Sequence, residues 1–113
     1  MKQPLSEKQL REHIADSLPA WRVEDNELVR VYETGNWRVT MLLAGLIAYL
    51  AEAANHHPDL LLTYPRVTVR LSSHDAGGIT GRDLDLARRI EEAAVGNRPD
   101  PRIHTHAPKE WVR

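Results

Sequence analysis

The order of helical and extended patterns predicts an α+β fold: a single two-layer domain, α-β-β-α-β-β-α, in which a four-stranded antiparallel sheet carries helices on one face. Three observations predict it. Helix-start signatures open two segments, Ser6-Glu7-Lys8-Gln9 and Thr80 with Asp83 three residues on. Two short stretches of apolar and polar residues, each broken by a turn, read as hairpins. A long apolar segment rich in helix formers separates them. At 113 residues the chain forms one domain, large enough to bury roughly two-thirds of its unfolded surface.

The first helix is expected from Glu7 to about Leu18, with Leu10, Ile14 and Leu18 as its apolar stripe and Pro19 limiting it. Trp21 and Val23, then Leu28, Val29 and Val31, flank the polar turn Glu24-Asp25-Asn26-Glu27 and suggest a hairpin with one buried face. Gly35-Asn36 breaks that pattern, and Trp37 to about Asn55 is the long central helix, apolar nearly all round in its first turns. Pro58 cannot continue it, so His56 and His57 fall at its C-terminal end. Leu60 to Tyr64, then Val67 to Ser73, read as the second hairpin, with Val67, Val69 and Leu71 on one face and His74 ending the strand. Ala76-Gly77-Gly78 supplies a turn before a final helix from about Gly81 to Val95, whose buried stripe is Leu84, Ala87, Ile90 and Ala94. The domain spans residues 1–96, and the proline-punctuated residues 97–113 read as an extended tail. The sheet face opposite the helices is either polar or covered by another subunit.

A net charge of −1, a pI near 6.6 and interleaved charges leave no electrostatic footprint for nucleic acid. The polar start Met1-Lys2-Gln3-Pro4 has no apolar signal core, so a cytoplasmic location is expected. The most apolar stretch, Val39 to Leu50, reads as a core helix too short to span a bilayer. With no cysteine there is no disulfide framework and no thiolate nucleophile.

His56, His57 and His74 are the residues that carry chemistry. An unperturbed imidazole titrates near neutrality, so one ring can take a proton while another gives one up. Three imidazoles could also hold a metal. Against that, adjacent residues at a helix end diverge in direction, and no carboxylate spacing completes a facial triad. The structural alternative is histidines that cap a helix. Glu52, one helical turn before His56, can reach that ring and set its tautomer, or can be an ordinary exposed helix residue. Arg82-Asp83 is either part of the pocket or a charged first turn favoured by the helix dipole. Tyr64 reads as hairpin packing, and His104 and His106 as solvated.

The spacing Glu52, three residues, His56-His57-Pro58, five residues, Tyr64, nine residues, His74, eight residues, Asp83 resembles the signature of the pterin-4a-carbinolamine dehydratase family, and every position is filled. The resemblance runs from about Trp21 to Ala94. It implies dehydration of 4a-hydroxy-tetrahydropterin to quinonoid dihydropterin without cofactor or metal. It assigns His56, His57 and His74 as catalytic, with His56 and His74 the acid-base pair and His57 orienting the pterin. Glu52, Asn55, Pro58, Arg82 and Asp83 are its substrate-binding positions. It also implies a dimer or tetramer. Some relatives act instead as protein-binding partners, such as RuBisCO assembly factors in carboxysomes or dimerisation cofactors of transcription factors. The chain departs from the usual pattern at Asn55 and Leu60 and contains no phenylalanine, which bears on pocket polarity and stacking.

Overall fold

The computed structural model describes residues 3–96 and 112–113. Helix α1 (Glu7–Ser17) opens on the expected capping box: Ser6 Oγ accepts from the Gln9 N–H at 3.1 Å, and Gln9 Oε1 from the Ser6 N–H at 2.9 Å. Strands β1 (Arg22–Glu24) and β2 (Glu27–Glu33) are joined by Asp25-Asn26 with φ of 52° and 61°. Two successive left-handed residues make the type I′ turn whose twist matches that of the strands. Helix α2 (Trp37–Ala54) is capped by Asn36, whose side chain accepts from the Val39 N–H at 2.9 Å. Strands β3 (Asp59–Thr63) and β4 (Arg66–Leu71), a 3-10 turn (His74–Ala76), helix α3 (Gly81–Glu91) and a π-turn (Glu92–Gly96) follow.

Two boundaries differ from expectation. Strand β4 ends at Leu71, before His74, because Ser73 and Gly78 form a separate antiparallel bridge that closes a small loop. Helix α3 keeps its α geometry only to Glu91, and its last turn widens to the π form.

The sheet is antiparallel with the order β1-β2-β4-β3. Its register pairs Leu28 with Leu71, Arg30 with Val69 and Tyr32 with Val67, and β3 adds Leu60 and Leu62 to this face. Leu43, Ile47 and Ala51 of α2 and Leu84, Ala87 and Ile90 of α3 complete one core against it. The opposite face is mixed, with Val29, Val31 and an exposed Leu61 among its charged side chains. There Arg70 bridges Glu24 at 2.8 Å and Glu27 at 3.5 Å, and Arg66 meets Glu33 at 3.0 Å. The hairpin nonetheless departs from a one-face pattern: Val23 is exposed, whereas Val29, which shares the ion-paired face by register, is buried. Among the described residues α2 alone, with mean hydropathy 1.3 over 18 residues, has the length and composition to cross a membrane. A core helix passes the same test, and Thr40, Leu43, Ala44, Ile47 and Ala51 are buried along it.

A carboxylate fastens the far end of α3 to the sheet. Glu91 accepts from Arg30 Nε and Nη2 at 3.0 and 3.1 Å, from the Tyr32 hydroxyl at 2.7 Å and from Trp21 Nε1 at 2.9 Å. The Arg30 guanidinium lies 4.1 Å from the Tyr32 ring centroid. Its Nη1 also donates to the Val31 carbonyl at 2.7 Å, on an edge of β2 that the three-residue β1 is too short to cover. Farther along β2, Arg113 exchanges two backbone hydrogen bonds with Glu33, at 2.6 and 2.9 Å, and Val112 is buried in the core. The rest of the expected tail, residues 97–111, lies outside the described residues.

Burial alone would raise the Glu91 carboxyl, but the bonds from Arg30, Tyr32 and Trp21 outweigh it and hold the group below its usual value. Burial and the neighbouring Glu91 push the Tyr32 phenol well above its usual range, so it stays a donor. Replacing Glu91 with Ala should therefore cost about 3 kcal/mol in urea unfolding, because Arg30, Tyr32 and Trp21 lose their shared acceptor. Since the folded-state value is the lower one, this contribution should be complete above about pH 5 and fade as pH falls through about 4 and below. The Glu91→Ala variant should show a flatter acid limb than the parent.

Candidate active site

The end of α2 presents the two adjacent histidines. Asn55 takes the left-handed conformation (φ 49°, ψ 44°), which asparagine tolerates better than most residues. Its N–H donates to the Glu52 carbonyl and that of His56 to the Ala51 carbonyl, both at 3.1 Å. This is the double closure of a Schellman motif, and Pro58 prevents further helix. Asn55 is exposed and shapes the backbone here. Pro58 is half-buried and acts as the stop.

His56 turns inward. Its Nε2 lies 2.5 Å from Asp83 Oδ1, and Asp83 is fully buried at the start of α3. The other oxygen, Oδ2, accepts from the Ser73 hydroxyl and from the Thr80 N–H, each at 2.8 Å. Thr80 Oγ1 in turn contacts Ser73 Oγ at 2.8 Å and accepts from the Arg82 N–H at 3.3 Å. Thr80 and Asp83 thus form the expected capping box, and the same carboxylate that caps the helix holds the imidazole. An ionised carboxylate only accepts, so against an ionised Asp83 the donor of this bond is Nε2, and a neutral His56 ring then carries its lone pair on Nδ1.

Glu52 does not reach His56. The left-handed step at Asn55 swings the chain, and Glu52 Oε2 meets His57 Nε2 at 3.1 Å in an exposed pair. His74 opens the 3-10 turn directly after Ser73 and is exposed, with Nε2 3.4 Å from Ser72 Oγ. It faces a groove of about 400 Å³ between Ser72 and the β1–β2 turn residues Asp25, Asn26 and Glu27. Arg82 is engaged by Asp75 at 2.7 Å, and this bond holds the Asp75 carboxyl below its usual value. Tyr64 is exposed in the β3–β4 turn rather than packed.

His56 and His74 therefore stand at the two ends of one connected chain, His56 to Asp83 to Ser73, with His74 the next residue. His57 and Glu52 lie on the solvent side of it. Ser73 had no spacing signal of its own beyond its place before His74. Among the described residues no group of three or more His, Asp or Glu side chains is placed to hold a metal ion.

Comparison with known proteins bears on this arrangement. The family model described as pterin 4 alpha carbinolamine dehydratase matches residues 3–93. A Chloroflexus aurantiacus protein carrying the name "Putative pterin-4-alpha-carbinolamine dehydratase" is 43% identical over 88 residues, 78% of this chain and 94% of that protein. One of the same name from Aquifex aeolicus is 39% identical over 92 residues, 81% of this chain and 92% of its own. The crystal structure of a transcriptional coactivator/pterin dehydratase from Brucella melitensis superposes with a TM-score of 0.73 at 25% identity, covering 79% of this chain and 96% of that one. With a family model spanning nearly all of the described fold and relatives matched over most of their length, the chain belongs to the pterin 4 alpha carbinolamine dehydratase family.

Proposed function

We propose that the protein is a hydro-lyase that removes water from 4a-hydroxy-tetrahydropterin and releases quinonoid dihydropterin, with His56 and His74 as its proton-transfer groups. The observation that carries this reading is the His56–Asp83 pair, a ring held by a buried carboxylate through Nε2; in this reading Nδ1 exchanges the proton. In a carbinolamine the hydroxyl and the amine share one carbon. One imidazolium delivers a proton to the departing hydroxyl, the C–O bond breaks, and water leaves. The nitrogen lone pair forms the new C=N bond, and that nitrogen gives its own proton to a neutral imidazole. Two rings in opposite protonation states balance the step, with no oxidant or covalent intermediate. Assistance of this kind is worth roughly 10² to 10⁴ in rate, about 3 to 5 kcal/mol.

His57, backed by Glu52, is the group that orients the pterin from the solvent side, with Asn55, Pro58 and Arg82 as further binding positions. Asp83 is better suited to positioning than to substrate binding, because it is buried and both of its oxygens are engaged. Self-association to a dimer or tetramer follows from α2, on which Trp37, Met41, Leu42 and Tyr49 are exposed, Tyr49 at 71%. A protein-binding role, for RuBisCO or another large enzyme, would draw on the same surface, and the similar Brucella melitensis protein is described as a transcriptional coactivator as well as a pterin dehydratase.

Purified protein should accelerate dehydration above the buffer rate in the presence of a chelator. His74→Ala and His56→Ala should each lower kcat by at least about tenfold, and His57→Ala should raise KM more than it lowers kcat. His56→Ala should also cost about 1 to 3 kcal/mol of stability, since it leaves Asp83 short of a partner. Turnover no faster than buffer would move the weight to the binding role. Light scattering at tens of micromolar should give a dimer or tetramer, and a strict monomer would contradict the α2 interface.

A further inference from the structure

We propose that Asn26, in the β1–β2 turn, is a positioning residue for His74. The loop that carries His74 is closed at its base by Ser73 and Gly78, whose N–H groups and carbonyls pair at 2.9 and 3.3 Å. Past that base, among the described residues, the His74 ring makes the long 3.4 Å approach to the Ser72 hydroxyl. The outer part of the loop is tied down from two sides, by Arg82 on Asp75 at 2.7 Å and, from across the groove, by Asn26. Asn26 Nδ2 donates to the Gly77 carbonyl at 3.1 Å, linking residues 51 positions apart.

Three details make this tether specific. Asn26 has φ of 61°, a conformation that asparagine and glycine accept and most residues do not, so the turn and the amide donor are met by one residue. Gly77 has φ of 80°, which aims its carbonyl without a Cβ penalty. A Cβ on Gly78 would lie 3.3 Å from Asn26 Nδ2 and 3.4 Å from its Oδ1, so an added methyl would push the tether's amide by a few tenths of an ångström. The tether crosses the same groove that His74 faces, and the loop is thereby registered against the groove's opposite wall. The consequence for turnover rests on the dehydratase reading; the tether itself does not.

Asn26→Gly separates the two roles of this residue. Asp-Gly is among the best type I′ pairs, so the hairpin survives while the donor is lost. By NMR the His74 ring resonances should shift or broaden with those of His56 unchanged, at an unaltered melting temperature. Turnover should fall about three- to tenfold with KM within about twofold. Gly78→Ala should act in the same direction, and in the Asn26→Gly background it should add little, because the nearest remaining neighbour is Pro4 Cβ at 3.5 Å. Wild-type His74 resonances in Asn26→Gly would overturn the tether. An effect confined to KM, unchanged kcat, or a joint loss of stability and of both histidine signals would overturn the positioning role. Were the wild-type protein inactive on the pterin, the resonances and the double-variant comparison would still decide whether Asn26 holds the loop.

Discussion

A carboxylate removed wholly from water is the constraint around which this molecule is arranged. Moving an isolated carboxylate into a protein interior costs several kcal/mol unless hydrogen bonds replace its hydration. Asp83 is fully buried and receives those bonds from three directions: the ring of His56 beyond α2, the Ser73 hydroxyl after β4 and the Thr80 amide at the start of α3. Each bond fixes the end of a different element. Helix capping, the closure of α2 on α3 and the orientation of an imidazole thus become one requirement, and loss of any partner leaves the charge undersatisfied.

The opposite end of α3 is secured by a different design. Glu91 is only partly withdrawn from solvent and meets a formal cation, Arg30, together with the neutral donors Tyr32 and Trp21. Two carboxylates, one at each end of an eleven-residue helix, therefore pin α3 to the sheet and to α2. The sheet's two faces divide the remaining work. One is apolar and anchors both helices, and the other carries the Arg–Glu ion pairs. The histidines lie where the layers meet, on short segments leaving α2 and β4, so their placement follows from packing deeper in the domain.

Much of this was legible in the sequence because it depends on local chemistry. The capping boxes at Ser6 and Thr80, the stripe of Leu84, Ala87, Ile90 and Ala94, and the alternation of Val67, Val69 and Leu71 each encode an element through neighbours a few residues away. The partner of each histidine was not legible by the same reasoning. Helical spacing pairs Glu52 with His56, but the left-handed Asn55 breaks that spacing, and Glu52 reaches His57. The true partner of His56 is 27 positions away and becomes available only once α2 packs on α3. The spacing pattern contained both residues without saying that one holds the other. Likewise nothing local joins Arg30 to Glu91 or Asn26 to Gly77, since both contacts arise from the crossing of distant strands and loops.

If the dehydratase mechanism holds, Asp83 fixes the proton of His56 on Nε2 and leaves Nδ1 for chemistry. Long-range ¹H–¹⁵N correlation spectra of the imidazole rings, recorded where the rings are neutral, test it directly. His56 should show a protonated Nε2, slow to exchange, and a bare Nδ1, and this signature should be lost in Asp83→Asn. A His56 ring protonated on Nδ1, or one that averages between the two tautomers, would contradict it.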